Sequence, residues 1–395
     1  MNQMNFEEVK ELSTQYLFQN YGRIELSFTH GEGCYLYDTE GKKYLDLVAG
    51  IAVNSIGYSH PEWVKAMQEQ VAKLIHVSNL YYVEEQARLA EKIATITPGD
   101  LNRTLFVNSG AEANEGALKL AVRYTGRSKV MAALNGFHGR TSAALGATGQ
   151  TKYQASFEPL ISSAYQYYEY GDCESVKKMM NKDVAALIVE PIQGEGGVRT
   201  ASQEFFKTVR DLCTDNGTLM IVDEVQTGIG RTGKWFGIQN FDVTPDIITM
   251  AKALGGGAPI GAVTSTEEIS KVMTPGTHGT TFGGNPLVTA SGCAVLDIMK
   301  NEKLVENARD VGERWMTDLM AIGSDKIKQV RGYGLIIGIE MDTNETATMV
   351  QKVCRASGVL VNVCHGNTVR LIPPLIINDE QKDTFTKILK EALSV

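Results

Sequence analysis

The sequence predicts an α/β protein: a large domain with a mostly parallel central sheet flanked by helices, then a smaller α+β domain. Three observations carry this expectation. Helical patterns alternate with short apolar runs from about residue 60 to 265. Those runs are apolar throughout and not alternating, the pattern of strands buried on both faces. Beyond residue 295 the texture changes to helix, apolar run, helix, apolar run, helix.

Taken in order, residues 61–76 (PEWVKAMQEQVAKLIH) and 84–96 (EEQARLAEKIATI) carry apolar side chains at three- and four-residue spacing, as amphipathic helices do. TLFVN (104–108), KVMAAL (129–134), AALIVEPI (185–192), LMIVDEV (219–225) and DIITMAK (246–252) are apolar runs closed by polar or glycine residues, and they predict strands. Periodicity alone also permits a buried helical turn at LMIVDEV, but its length and β-branched content favour a strand. Between the first two runs, ANEGALKLAVRY is an alanine-rich helix. The C-terminal part reads as a helix (NEKLVENARDVGERWMTDLM), VRGYGLIIGIEM, a second helix, TVRLIPPL and a final helix. No repeat or linker-like run interrupts the chain. The expected division is therefore an N-terminal segment, 1–60, packing with the small domain, a large domain over 61–295 and a small domain over 296–395, with a soft boundary near 295.

Composition narrows the function classes. With 395 residues, 43% hydrophobic and 21% charged, the chain is an ordinary globular protein. The balance of 38 basic against 46 acidic residues, a net charge of −8, argues against a nucleic-acid binder working through phosphate neutralisation. The N-terminus, MNQMNFEEVKELS, is polar and acidic where a signal peptide would be basic and then apolar. No run approaches the roughly 18 apolar residues that span a bilayer. Six scattered cysteines with no C-x-x-C pair exclude a disulfide scaffold and a zinc module. The expectation is a cytoplasmic enzyme with no nucleic-acid, membrane or metal partner.

The glycines, 39 against 10 prolines, cluster between apolar runs, which suggests backbone approaching a ligand. Gly228-Ile229-Gly230-Arg231-Thr232-Gly233-Lys234 matches both G-x-G-x-x-G and G-x-x-x-x-G-K, and fails both on context. A P-loop needs Ser or Thr after the lysine, where this chain has Trp235, and KWFGIQNFDV is a poor helix start for a dinucleotide fold. A tight glycine turn is the better reading.

The stronger signal is polar residues at strand ends. Asp223-Glu224-Val225-Gln226 closes LMIV and Lys252 closes DIITMA, positions that converge on one crevice of an open α/β sheet. A lysine there is either paired, as in a simple Asp–Lys bridge, or its amine is used in Schiff-base chemistry. Asn108-Ser109-Gly110-Ala111 opens the alanine-rich helix and offers free N–H groups to a phosphate, although an ordinary N-cap would account for the serine alone. Phe137-His138-Gly139-Arg140-Thr141 brings an aromatic face and a guanidinium to another strand exit. Glu190-Pro191-Ile192-Gln193-Gly194-Glu195-Gly196-Gly197 and Thr280-Thr281-Phe282-Gly283-Gly284 add two polar glycine turns.

These strings, VDEVQTGIGRTG followed by AKALGGG above all, resemble the class III (ω-amino acid) aminotransferases, pyridoxal 5'-phosphate (PLP) enzymes of fold type I. The likeness runs from about Gly31 to Pro374. It implies that Lys252 holds PLP and moves the proton, that Asp223 pairs with the ring nitrogen, and that Gln226 bonds the ring hydroxyl. It implies Val225 and Phe137 on the two ring faces. Ser109, Gly110 and Ala111 would lie on the phosphate, with Thr281 arriving from the neighbouring subunit of a homodimer. By the same resemblance Arg140 would take the carboxylate of the acylated donor or the side-chain carboxylate of glutamate. Arg370 would take the α-carboxylate of glutamate, Glu195 would neutralise Arg370 with the other substrate, and Asn79 would contribute to the pocket. His138 is expected only to shape its turn.

VAGIAVNSIG, HVSNLYY, FHGRT, QGEGG and VRLIPPL bring the resemblance nearest to the members that act on N2-acetylornithine and 2-oxoglutarate, as in arginine biosynthesis. Ornithine aminotransferases have a tyrosine near the position of Gly50 and Ile51 that grips the unacylated amino group. Here the site is small and apolar, which favours an N-acylated donor without separating acetyl from succinyl. Succinylornithine, an N-acyl-lysine, N-succinyl-diaminopimelate and ornithine remain alternatives at this point.

Overall fold

The computed structural model describes residues 4–394. Its centre is a seven-stranded sheet in the spatial order Arg103–Val107, Gly261–Ser265, Ile247–Met250, Leu219–Asp223, Val184–Val189, Lys129–Ala133 and Tyr165–Tyr168. Neighbours run parallel except at Gly261–Ser265, which is antiparallel to the strand on each side.

Successive residues of the inner strands feed two different cores. Ala186, Ile188, Ile221 and Ile247 pack on one side of the sheet with the helix Gly110–Thr125. Leu187, Val189, Met220, Val222 and Ile248 pack on the other with Phe205, Phe206 and Phe241. Burial on both faces is why these strands read as unbroken apolar runs, and each buried Val, Leu, Ile, Phe or Met side chain contributes about 1.5–3 kcal/mol.

Strand ends are shorter than the apolar runs. The 185–192 run divides into Val184–Val189 and Ile192–Gln193, because Pro191 has no N–H to give a ladder. The second piece turns away to pair with Arg199–Thr200. The 219–225 run leaves the sheet after Asp223, and the 246–252 run after Met250. Tyr165–Tyr168 and Gly261–Ser265 had no counterpart among the expected strands. The first is a half-buried edge rich in tyrosine, and the second is built of small residues (GAVTS). The helices Gln203–Asn216 and Pro286–Asn301 were likewise unanticipated. The latter runs across residue 295, so the change of texture falls inside a helix. Lys303, at φ 54°, then separates it from Leu304–Met320.

Chain ends share structure. Phe28–Glu32, Tyr35–Asp38 and Lys43–Asp46 form an antiparallel meander to which Val359–Leu360 adds in parallel. The C-terminal part has its own antiparallel sheet, Ile327–Tyr333, Ile336–Met341, Thr368–Leu371 and Asn362–Cys364, backed by the helices Leu304–Met320 and Asn344–Ala356, with Asp379–Leu393 packed on both helices. Arg231, in the glycine turn that mimics a P-loop, staples three segments. Its guanidinium donates to the carbonyls of Leu335 (3.0 Å) and Pro373 (2.5 Å) and to Ser55 Oγ (3.4 Å). Burial pushes its pKa down to about 9. Among the described residues, no helix is long and apolar enough to cross a membrane.

Candidate active site

Parallel pairing sets Asp223 beside Thr249, and the chain beyond Met250 turns so that Ala251 and Lys252 reach the same end of the sheet. Lys252 has φ 41°, in the left-handed region that a side chain adopts only at a cost of about 1 kcal/mol or more. Both residues line a cavity of about 450 Å³. Ser109, Gly110, Ala111, Phe137, Arg140, Glu195, Val225 and Gln226 line it as well, so ten of the thirteen residues singled out in the sequence meet at one place.

Asp223 is the best-held group there. Oδ1 accepts the Val225 N–H at 2.9 Å. Oδ2 accepts Asn114 Nδ2 at 2.8 Å and meets His138 Nδ1 at 2.7 Å, the ring donating to the carboxylate. A carboxylate has about four acceptor positions, so one remains toward the cavity. Asn114 is fixed in turn, donating to the His138 carbonyl (2.7 Å) and accepting from Thr249 Oγ1 (2.7 Å). Burial works against a charged His138 ring, but the hydrogen bond to Asp223 and its charge outweigh it and the pKa rises. Glu190 lies close by, accepting the Phe137 N–H at 2.9 Å, and burial lifts its pKa to about 7.

The Lys252 amine is pushed down to about 8, chiefly by burial, with Glu195 opposing and Arg370 assisting. A neutral amine is the nucleophilic form. Across the cavity, Ser109 caps the helix Gly110–Thr125, its hydroxyl accepting the Glu112 N–H at 3.2 Å. The N–H groups of Gly110 and Ala111 have no intrahelical acceptor and lie at the positive end of the helix, an arrangement suited to a phosphate. A side chain at Gly110 would come within 2.8 Å of Val225 Cγ1, so only glycine lets Val225 reach this wall.

Arg370 is fully buried yet does not line the cavity directly. Its Nη1 donates to Glu195 Oε1 at 2.6 Å and to Gln226 Oε1 at 3.1 Å. Its Nη2 is buried without a hydrogen-bond partner among the described residues. Burial favours a neutral Glu195, but the adjacent Arg370 reverses this and holds the carboxyl below its usual range. Arg140 is exposed at the mouth, its guanidinium 4.0 Å over the Tyr153 ring and 5.6 Å over Phe137.

Two expected residues stand elsewhere. Asn79 is exposed and does not line the cavity of its own chain. Its Nδ2 donates to the carbonyls of Gly283 (3.0 Å) and Thr280 (3.3 Å), and its Oδ1 accepts from Gln86 (2.9 Å). It braces the turn that carries Thr281, which is also exposed and outside the cavity. The Gly50 position needs a correction too. Ala49 to Ala52 all have positive φ, and this left-handed turn sends Val53 to the Lys252 cavity, while Gly50 and Val48 line a neighbouring one.

Sequence reasoning missed Asn114, Tyr153 and Val53, and it gave His138 less than the structure does. None of the three carried a signal in the sequence: the burial of Asn114 within its alanine-rich helix is visible only in the structure.

A buried amine, a carboxylate with one acceptor position left, a helix start with free N–H groups and flanking apolar faces fit pyridoxal phosphate. With the parallel sheet and its single reversed strand, they define a PLP-dependent transferase of fold type I. The profile of the family "Aminotransferase class-III" matches residues 16–393. An acetylornithine aminotransferase of Methanothermobacter thermautotrophicus is 45% identical over 99% of this chain and 100% of its own. Among solved structures, the ornithine aminotransferase of Toxoplasma gondii has a TM-score of 0.95 at 31% identity, covering 100% of this chain and 96% of that one. An acetylornithine aminotransferase of Elizabethkingia anophelis has a TM-score of 0.87 at 34% identity, with 99% and 100% covered. The chain belongs to the class-III aminotransferases, and it is a PLP-dependent aminotransferase.

Proposed function

We propose that the protein transfers the δ-amino group of N2-acetylornithine to 2-oxoglutarate, giving N-acetylglutamate 5-semialdehyde and glutamate, the step such enzymes take in arginine biosynthesis. The observation that carries this reading is the Arg370–Glu195 pair. An ω-amino donor presents a carbon with no carboxylate beside it, whereas glutamate presents its α-carbon with one. A site for both needs a cation that is neutralised in one half-reaction and free in the other. Glu195, half-buried between Gly194 and Gly196, is placed to supply and withdraw that neutralisation. The unpartnered Arg370 Nη2 is ready for a carboxylate.

Pyridoxal phosphate, when bound, supplies an aldehyde that captures the amine and a protonated ring that accepts the electron pair of a breaking C–H bond. In this reading the chain does the rest. The Gly110 and Ala111 N–H groups and Ser109 hold the phosphate. Val225 and Phe137 clamp the ring, Gln226 bonds its hydroxyl, and Asp223, oriented by His138 and Asn114, keeps its nitrogen protonated. Lys252 anchors the group, then takes the proton from the substrate carbon and returns it on the cofactor side. Arg140, steadied by Tyr153, binds the distal carboxylate. Val53 gives the donor pocket an apolar wall.

The test follows each half-reaction by the absorbance change as bound cofactor gains the amino group, with N2-acetylornithine, ornithine and glutamate as donors. N2-acetylornithine should react faster than ornithine; the reverse order defeats the donor assignment. In Glu195→Gln, Arg370 keeps its charge, and the ratio of the glutamate rate to the acetylornithine rate should rise by about fivefold or more. Equal falls in both half-reactions would return Glu195 to an ordinary loop residue.

We also read the protein as a cytoplasmic homodimer. Its six cysteines are free, as a reducing compartment allows. Leu74, Ile75, Leu80, Tyr81, Tyr82 and Phe282 are all exposed, around Asn79 and Thr281. The His76 and Phe282 rings, 5.3 Å apart, join the two segments into one apolar patch that a second copy would cover. Thr281 would then reach the partner's phosphate. Mixing inactive Lys252→Ala chains with inactive Thr281→Ala chains should restore about a quarter of native activity, through heterodimers with one intact site. No recovery after demonstrated subunit exchange would mean the site is built within one chain.

A further inference from the structure

Arg370 is held by three oxygens, and only one belongs to a carboxylate. Besides Glu195 and Gln226 on Nη1, Asn362 Oδ1 accepts from Nε at 3.3 Å. Asn362 comes there by register: in the antiparallel pair of Asn362–Cys364 with Thr368–Leu371 it stands opposite Arg370. It lies outside the Lys252 cavity, on the wall of the neighbouring cavity of about 500 Å³ that Val48 and Gly50 also line.

We infer that Asn362 is a specificity-determining positioning residue: a fixed neutral acceptor that keeps the Arg370 guanidinium aimed and fully charged when Glu195 withdraws, and so selects the dicarboxylic substrate. This rests on the roles proposed for Arg370 and Glu195. An arginine bound only to a departing carboxylate would lose its orientation with its partner, and ordering the side chain again would be charged against glutamate binding. An amide oxygen anchors the guanidinium without cancelling its charge, so the incoming carboxylate meets a whole cation. Gln226 is the other neutral acceptor, but its amide is shared with the cofactor's ring hydroxyl in the proposed arrangement. Nε and Nη1 are then occupied, and Nη2, buried without a partner among the described residues, is left for substrate. The contrast with Glu195 is one of mobility. Glu195 sits in a turn between Gly194 and Gly196, two residues before Gly197 at φ 99°, whereas Asn362 is in a paired strand that cannot step aside.

The decisive variant is Asn362→Asp, nearly isosteric, which gives Arg370 a carboxylate that cannot leave. In the holoenzyme, the ratio of the acetylornithine to the glutamate half-reaction rate should rise by about tenfold or more, with the KM for 2-oxoglutarate rising more than kcat falls. A readout independent of turnover is the thermal shift given by glutarate, a dicarboxylate with no amine to transfer. Glutarate should raise the melting temperature of the wild type and lose most of that effect in Asn362→Asp. Asn362→Ala is the second arm should the aspartate variant not fold, and its glutarate shift should shrink by about half or more. An unchanged ratio, an equal loss in both half-reactions, or a full glutarate shift in the variant that folds overturns the inference. A wild type that reacts with glutamate but not with N2-acetylornithine would defeat the donor assignment instead, and the glutarate arm would still decide for or against Asn362.

Discussion

Lys252→Ala is expected to lower transamination by roughly four orders of magnitude or more, because in the proposed mechanism one amine both anchors the cofactor and carries the proton. Fold and noncovalent cofactor binding should survive: in the proposed arrangement the phosphate is held by residues 109–111 and the ring by Phe137 and Val225, all of which line the same cavity. Near-native turnover in the variant would remove the lysine from the mechanism. A second consequence needs no cofactor. The amine's pKa falls from 10.5 in the open chain to about 8 in the fold. Below about pH 8 it is charged in both states, and the fold bears the full cost of the buried charge. Between about 8 and 10.5 the unfolded chain holds a proton that the folded one lacks, so stability rises with pH. The stability of the wild-type apoprotein relative to Lys252→Ala should therefore climb across that window, by at most about 3 kcal/mol. A flat difference between pH 8 and 10.5 would show that the amine is not desolvated.

The residues legible in the sequence are those whose chemistry contradicts their local setting. Asp223 and Lys252 stand out because a charge closing an apolar strand needs a reason, and Ser109-Gly110 because a cap explains the serine but not the glycine. Residues that depend on long-range registry gave no such signal. Asn114 reaches Asp223 from the buried face of a helix 109 positions earlier, and helical periodicity alone does not tell a buried asparagine from an exposed one. His138 reaches the same oxygen from a loop 85 positions earlier. Asn362 meets Arg370 only because two short strands pair in one register. The fold divides the same way. Strands buried on both faces declared themselves, whereas Gly261–Ser265, built of small residues that let it pass close to the Ser109 carbonyl, did not. Asn79 was assigned to the pocket through its place in the HVSNLYY string, yet within one chain it braces the Thr281 turn.

The Asp223→Asn enzyme should bind the cofactor and still lose about 10²–10³-fold in the rate of proton abstraction. Asp223 already takes two side-chain donors on Oδ2 and one backbone donor on Oδ1. These bonds fix its direction and leave one acceptor position, which in the proposed arrangement takes the ring N–H. An asparagine oxygen can keep the His138 bond only by turning its NH₂ toward Oδ1's place, where it meets the Val225 N–H and the ring. There the amide donates and cannot accept, so it favours the unprotonated ring nitrogen and removes the electron sink. In the proposed arrangement substrate binding depends on Arg140 and Arg370, which this change does not touch, so kcat should fall far more than KM rises. Deuterium exchange at the substrate carbon isolates the step from product release. Exchange at the wild-type rate in Asp223→Asn would mean that ring protonation is maintained by another group, and His138 would then be the first to examine, since its Nε2 is buried without a partner among the described residues. A combined loss of cofactor and exchange would instead make Asp223 an anchor, with the His138–Asn114 pair serving to keep that anchor in place.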